Sequence, residues 1–285
     1  MNFHMNKTDE WTEIIQAKRK LLYVNIKELW RYRDLIAVFV KRDITVQYKQ
    51  TVLGPLWLFI APLFTIALFT FVFNRVAGLP TDEIPPPLFY LSGTLIWGYF
   101  QNCFNGAASS LNANAHLFGK VYFPRLSVPI SIICSSLLKL AIQSLLFMVL
   151  ILYYSIQTNW TPNYYILLIP VIILLLATLG LGGGLIIASI TTRYRDFAYM
   201  LSFGMSLLMY ATPVIYPLSA VPASYQFWIR LNPLSSLIEN FRYGVLGSGV
   251  FSWQGLLYST GISMLLLFIG LQLFQRVEKD FIDRV

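Results

Sequence analysis

The chain has 285 residues, 56% of them hydrophobic and only 12% charged, with a mean hydropathy of +0.62 and a formal net charge of +8. Soluble domains carry about 25% charged residues, so this composition is that of an integral membrane protein, with no room between its apolar runs for a separate globular unit. The two cysteines, Cys103 and Cys134, both lie in apolar runs and imply neither a disulfide framework nor a metal site.

Residues 1–26 read as a cytoplasmic tail. No cleavable signal peptide is visible, because the first apolar run, Leu35 to Val40, is short and hemmed by charge. Residues 27–49 follow as an amphipathic interfacial helix. On a helical wheel Leu29, Tyr32, Ile36, Phe39, Val40 and Ile44 share one face, and Arg31, Asp34, Lys41 and Arg42 lie opposite. Arg33 and Asp43 break the pattern. Such a helix lies flat on a membrane with its cations at the headgroups. It serves either as a plain anchor or as a surface that also docks a cytoplasmic partner.

Charge stops at Lys49, and the 21 residues from Leu53 to Phe73 contain no ionisable group. At about 1.5 Å per residue they cover ~30 Å, a bilayer core. Further apolar segments at 88–108, 127–154, 164–190, 198–216 and 254–275 bring the expected spans to six, and only the third contains a charge, Lys139. The stretch from Pro217 to Trp253 is rich in apolar residues but punctuated by Pro217, Pro222 and Pro233. Its pieces are too short to cross, so short helices dipping into the outer leaflet are expected. The fold class is therefore an all-α membrane protein with six transmembrane helices, an N-terminal interfacial helix and short re-entrant outer helices between spans five and six. Residues 27–275 form one membrane domain, and 276–285 a cytoplasmic tail.

Lysines and arginines sort by side. Ten precede the first span, and Lys120, Arg125, Arg193, Arg195, Arg276, Lys279 and Arg284 join them on one face. The other face holds only Arg75, Arg230 and Arg242. The positive-inside rule puts both termini in the cytoplasm. The positive charge lies along a membrane edge, which argues against nucleic acid as a partner.

Catalytic and nucleotide signatures are missing. The one Gly-Lys pair, Gly119-Lys120, is followed by Val121 and has Asn114 where a P-loop needs glycine. The glycines at 180, 182, 183 and 184 lack the last glycine of a dinucleotide fingerprint, since Leu185 stands there. They suit close helix packing or a hinge. No span contains Asp or Glu, which weighs against an ion-coupled transporter and against an intramembrane hydrolase.

Several short stretches, in order, resemble one family. They are Trp30-Arg-Tyr-Arg-Asp34, Arg42-Asp43, Tyr48-Lys-Gln-Thr-Val-Leu-Gly-Pro-Leu-Trp57, Asn112-Ala-Asn114, Lys120-Val-Tyr-Phe-Pro-Arg125, Arg193-Tyr-Arg-Asp196, Thr212-Pro-Val-Ile-Tyr-Pro217, Asn232-Pro-Leu234 and Ile238-Glu-Asn-Phe-Arg242. Together they resemble the membrane permease of bacterial ABC-2 type exporters for polysaccharides: O-antigen, capsule and teichoic acid. The match runs over roughly residues 28 to 250.

That resemblance implies a half-transporter in the bacterial inner membrane. Two copies of the chain would work with two copies of a separate cytoplasmic ATPase, which holds the ATP and Mg, so this chain carries no cofactor. The cargo would be a glycan on polyprenyl pyrophosphate. The resemblance also implies a coupling helix that seats in the ATPase, here Asn112, Asn114, Lys120, Tyr122, Phe123, Pro124 and Arg125, with Arg193, Arg195 and Asp196 at the same edge. Arg31, Arg33, Lys41 and Arg42 are the interfacial cations. Channel candidates are Trp97, Tyr99, Phe100, Lys139, Tyr210 and Tyr216, since aromatic faces stack on sugar C–H faces. Tyr225, Trp228 and Phe241 are expected to pack an outer gate, with Glu239 and Arg242 pairing across one helix face at the water boundary. A drug- or lipid-exporting permease of the same superfamily, and a membrane-embedded glycan-processing enzyme, are the alternatives.

Overall fold

The computed structural model describes residues 26–115, 123–156, 163–192, 194 and 196–282. Among them the chain is helical, without strands. Helices α1 (Ile26–Arg31) and α2 (Arg33–Tyr48) replace the single interfacial helix expected over 27–49, with a turn at Tyr32 between them. Gln50 then takes a left-handed conformation (φ 65°), and Gly54-Pro55-Leu56 form a 3-10 turn into α3 (Trp57–Phe69). A π-helical stretch, Thr70–Val76, extends α3. Helices α4 (Pro86–Ala113), α5 (Ser127–Ser155), α6 (Ile169–Thr191), α7 (Phe197–Tyr210), α8 (Ala223–Leu231), α9 (Pro233–Leu246) and α10 (Trp253–Ile282) follow.

Among the described residues four segments are long and apolar enough to cross a bilayer: Gly54–Val76, Ser127–Ser155, Tyr164–Thr191 and Trp253–Val277. The other two expected spans differ in kind. α4 has 28 residues, about 42 Å of helix, but Ser, Thr, Asn, Gln and Gly interrupt its apolar surface. It is sheathed by protein instead. Leu88 to Gly93, Leu95 to Trp97, Tyr99, Phe100 and Cys103 are all buried. α7 ends after 14 residues, about 21 Å, rather than running on to 216. Pro213 disfavours helical backbone at Thr212, and residues 211–216 turn instead.

The core is built around α6, which packs on α4 and on α10. Its glycines make this possible. A Cβ on Gly180 would stand 2.8 Å from the Cys103 Cβ, and one on Gly184 would stand 2.6 Å from the Phe104 carbonyl oxygen. A Cβ on Gly182 would overlap the backbone of Leu266 and Leu267. Of the two readings the sequence left open, close packing is the one the geometry uses. The large cluster holding Leu95, Ile96, Phe100, Leu176 and Leu179 fills the middle, and Leu111, Leu185, Ala188 and Phe274 form a smaller one toward the α2 end.

Candidate functional site

Two sets of polar contacts organise the ends of the bundle. At one end α2 lies against α5. Its apolar stripe divides. Tyr32, Leu35 and Phe39 pack on Phe123, Val128 and Ile132, with the Phe39 and Phe123 rings edge to face at 5.7 Å. Ile36, Val40 and Ile44 face an open groove beside Cys134 and Leu138. Arg42 does not lie on the outward face with Lys41, as the wheel has it. It sits 4.8 Å over the Phe39 ring, pairs with the Asp43 carboxylate at 2.8 Å and donates from Nη1 to Asn114 Oδ1 at 3.3 Å. Asn114 in turn donates to the Ser110 carbonyl at 3.0 Å and is buried at the end of α4. The structure thus ties two of the expected partner-facing residues, Arg42 and Asn114, to each other.

Of the remaining coupling residues, Phe123 and Arg125 are buried, Pro124 accepts the Ser127 backbone N–H at 2.9 Å, and Asn112 is exposed. Asp196 precedes α7 and is exposed, its carbonyl accepting the Tyr199 N–H. Lys120, Tyr122, Arg193 and Arg195 lie outside the described residues. Arg31, Arg33 and Lys41 are exposed. Lys139 is half-buried on α5, and the Asp43 carboxylate of α2 acts on it electrostatically.

At the far end a single cation joins three elements. Arg242, fully buried on α9, donates from Nη1 to the Pro213 carbonyl at 2.5 Å and from Nη2 to the Val214 carbonyl at 2.6 Å. Its Nε donates to Ser92 Oγ on α4 at 3.2 Å, and its guanidinium covers the Phe89 ring at 3.8 Å. Glu239, one turn back, pairs with Nη1 at 3.4 Å. Burial pushes the Glu239 carboxyl up from its ordinary value, while Arg242 and the backbone N–H groups of Val250 and Leu218 pull it back.

This corrects the expectation for the pair. The i, i+3 bridge exists, but it lies inside the protein rather than at a water boundary, because its other partners come from α4 and the turn after α7. Neighbouring polar contacts extend the same joint. Asn232 caps α9 by accepting the Leu234 N–H at 3.1 Å and donates to Thr212 Oγ1 at 2.8 Å. Asp82, left-handed at φ 48°, accepts from Ser219 through its carboxylate and from Ser248 through its carbonyl, both at 2.5 Å.

The expected gate aromatics do not meet. Phe241 is buried and stacks on Phe147 at 6.1 Å, whereas Tyr225 and Trp228 on α8 are 63% and 68% exposed. An amphipathic nine-residue helix on the surface and a helix sunk in the bundle cannot share one aromatic cluster. The channel candidates divide likewise. Trp97, Tyr99 and Phe100 pack inside the chain, at 4%, 4% and 3% exposure, so cargo could reach them only by unpacking the core. Tyr210 is exposed, and its carbonyl accepts the Tyr216 hydroxyl at 3.2 Å. Sequence reasoning passed over Ser92, Gly93 and Phe89. Ser92 and Gly93, neighbours in the second expected span, carry no motif that sets them apart in the sequence.

A model for the ABC-2 type transporter family matches residues 34–246. The chain belongs to the ABC-2 type transporter family. It is 28% identical over 263 residues to the O-antigen export system permease protein RfbA of Myxococcus xanthus, covering 91% of this chain and 98% of that protein. It is 24% identical over 258 residues to the capsule polysaccharide export inner-membrane protein CtrC of Neisseria meningitidis serogroup A, covering 89% and 95%. It is also 24% identical over 238 residues to the polysialic acid transport protein KpsM of Escherichia coli, covering 84% and 91%. The family match takes in both sets of polar contacts in this ABC-2 chain, the one at Arg42 and the one at Arg242.

Proposed function

We propose that this chain is the permease subunit of an ATP-driven exporter that moves a lipid-linked polysaccharide outward across the bacterial cytoplasmic membrane. The observation that carries the reading is similarity over nearly the whole length of O-antigen export permeases. Two copies would act with two copies of a cytoplasmic ATPase that supplies ATP and Mg. The absence of a P-loop from the sequence fits that division of labour.

On this reading the α2 end faces the cytoplasm, with both termini, because the basic residues gather there. α4 and α7 complete six crossings, and α8 with α9 folds back into the outer leaflet. The segment around Asn112 to Arg125 seats in the ATPase, and Arg42–Asn114 carries its displacement into α2. The exposed face of α7, with Tyr199, Phe203 and Tyr210, borders the glycan path between the two copies.

The test is deletion of the gene in its host. Surface glycan should disappear, lipid-linked glycan should build up in the cytoplasmic leaflet, and the wild-type chain should restore export. The purified chain should hydrolyse no ATP and should co-purify with a separate nucleotide-binding subunit. Full surface glycan in the deletion strain would overturn the reading.

A further inference from the structure

The apolar stripe of α2 is only half used by the protein. Ile36, Val40 and Ile44 form one wall of a groove of about 550 Å³ whose other wall is Cys134 and Leu138 of α5. The groove runs lengthwise along α2 and is open along its side. Arg33 and Lys41 belong to the same lining, eight residues apart, which is about 12 Å along a helix. Both are exposed. Arg33 lies 3.9 Å from its neighbour Asp34, in solvent, and 5.7 Å from the centre of the exposed Trp30 ring. Lys41 forms no ion pair among the described residues. Arg42, next in the chain, is by contrast consumed by Asp43, Asn114 and Phe39.

An apolar trough flanked by two cations, on the side of a helix next to a membrane-spanning one, has a definite chemical complement. We propose that the groove between α2 and α5 holds one anionic phospholipid, its acyl chain against Ile36, Val40, Ile44 and Leu138 and its phosphate held by Arg33 or Lys41. Water would leave that apolar lining uncovered, and an uncharged lipid would leave the cations without a counter-ion. Each cation near a charged membrane surface adds to anionic lipid binding, so the two together discriminate by headgroup. The lipid would brace α2 on α5, on the side away from the Phe39–Phe123 contact.

The binding does not depend on what the protein transports, so it is tested on the purified chain alone. The detergent-solubilised protein is exchanged into micelles containing equal phosphatidylglycerol and phosphatidylcholine, and retained lipid is read by native mass spectrometry. Wild type should retain one phosphatidylglycerol in preference to phosphatidylcholine. Arg33→Gln with Lys41→Gln should weaken that preference by roughly 30-fold. Val40→Trp, which fills the groove without changing charge, should remove the retained lipid. Arg75→Gln, at the opposite end of the first span, should leave it in place. Equal retention of the two lipids, or wild-type retention in the double variant, overturns the proposal. Retention of an added polyprenyl phosphate but no phosphatidylglycerol overturns the choice of occupant.

Discussion

Gly93 and Arg242 fit each other. A Cβ at position 93 would stand 2.5 Å from Arg242 Nη2 and 2.6 Å from the Val214 carbonyl oxygen that Nη2 bonds. The absent side chain on α4 is therefore the space through which α9 reaches the turn after α7. Replacing Gly93 by alanine should force the guanidinium off that carbonyl. Purified Gly93→Ala should lose thermal stability, read as a lower temperature of tryptophan-fluorescence transition, while Gly98→Ala, which meets nothing, should match wild type.

Removing Arg242 alone strands the Glu239 carboxyl inside the protein. Breaking a buried pair by deleting one partner costs about 3–5 kcal/mol, so Arg242→Met should fold poorly and give little monodisperse protein. Arg242→Met with Glu239→Gln removes the stranded charge and should recover part of that loss. It should not recover all of it, because the Pro213 and Val214 carbonyls remain without donors. The check is the yield and thermal transition of the single and double variants side by side.

Phe241 and the α8 aromatics should respond oppositely to truncation. Phe241→Ala opens a void against Phe147 and should destabilise the fold by about 3–5 kcal/mol. Tyr225→Ala with Trp228→Ala alters an exposed surface and should leave the thermal transition unchanged. If these two border the outer mouth, the double variant should alter export or solute leakage without altering stability.

The Arg42–Asn114 bond should couple the two residues energetically. Arg42→Gln and Asn114→Ala should each keep membrane insertion but lower export, and the double variant should lose less than the two singles added together. Additive losses would mean that each residue acts through a separate contact.

Lys139 remains the one charge within the third expected span. Lys139→Leu should preserve expression, since a charge at mid-span costs roughly 2.5–3.5 kcal/mol on insertion, and should lower glycan export. Asp43→Asn should reproduce part of the defect, because Asp43 is the acidic group that acts on Lys139 from α2. Surface glycan measured at equal permease levels is the readout.

Local chemistry sets both ends of α9: Pro233 follows the Asn232 cap, and Gly247, left-handed at φ 73°, closes it. The apolar runs located the four long apolar segments to within a few residues. Relations set by distant residues were not legible. The i, i+3 spacing of Glu239 and Arg242 revealed the pair, but its burial depends on Ser92, 150 positions away. The wheel placed Arg42 outward because it counts polarity and cannot see Asn114. Trp97, Tyr99 and Phe100 were channel candidates because aromatic faces stack on sugars, yet aromatics packed among neighbouring helices read the same in the sequence.

The Arg242 joint also bears on how α7 is built into a membrane. A helix of about 21 Å stops short of the far side of a hydrocarbon layer, where an unbonded peptide carbonyl costs several kcal/mol. The two carbonyls just past that stop accept hydrogen bonds from the guanidinium of α9. On the proposed six-span reading α7 enters the bilayer unfinished and waits for a segment translated some thirty residues later. Its insertion becomes permanent only when the chain through Arg242 has emerged, so truncation before that residue should release α7 from the membrane while α3 and α5 stay in.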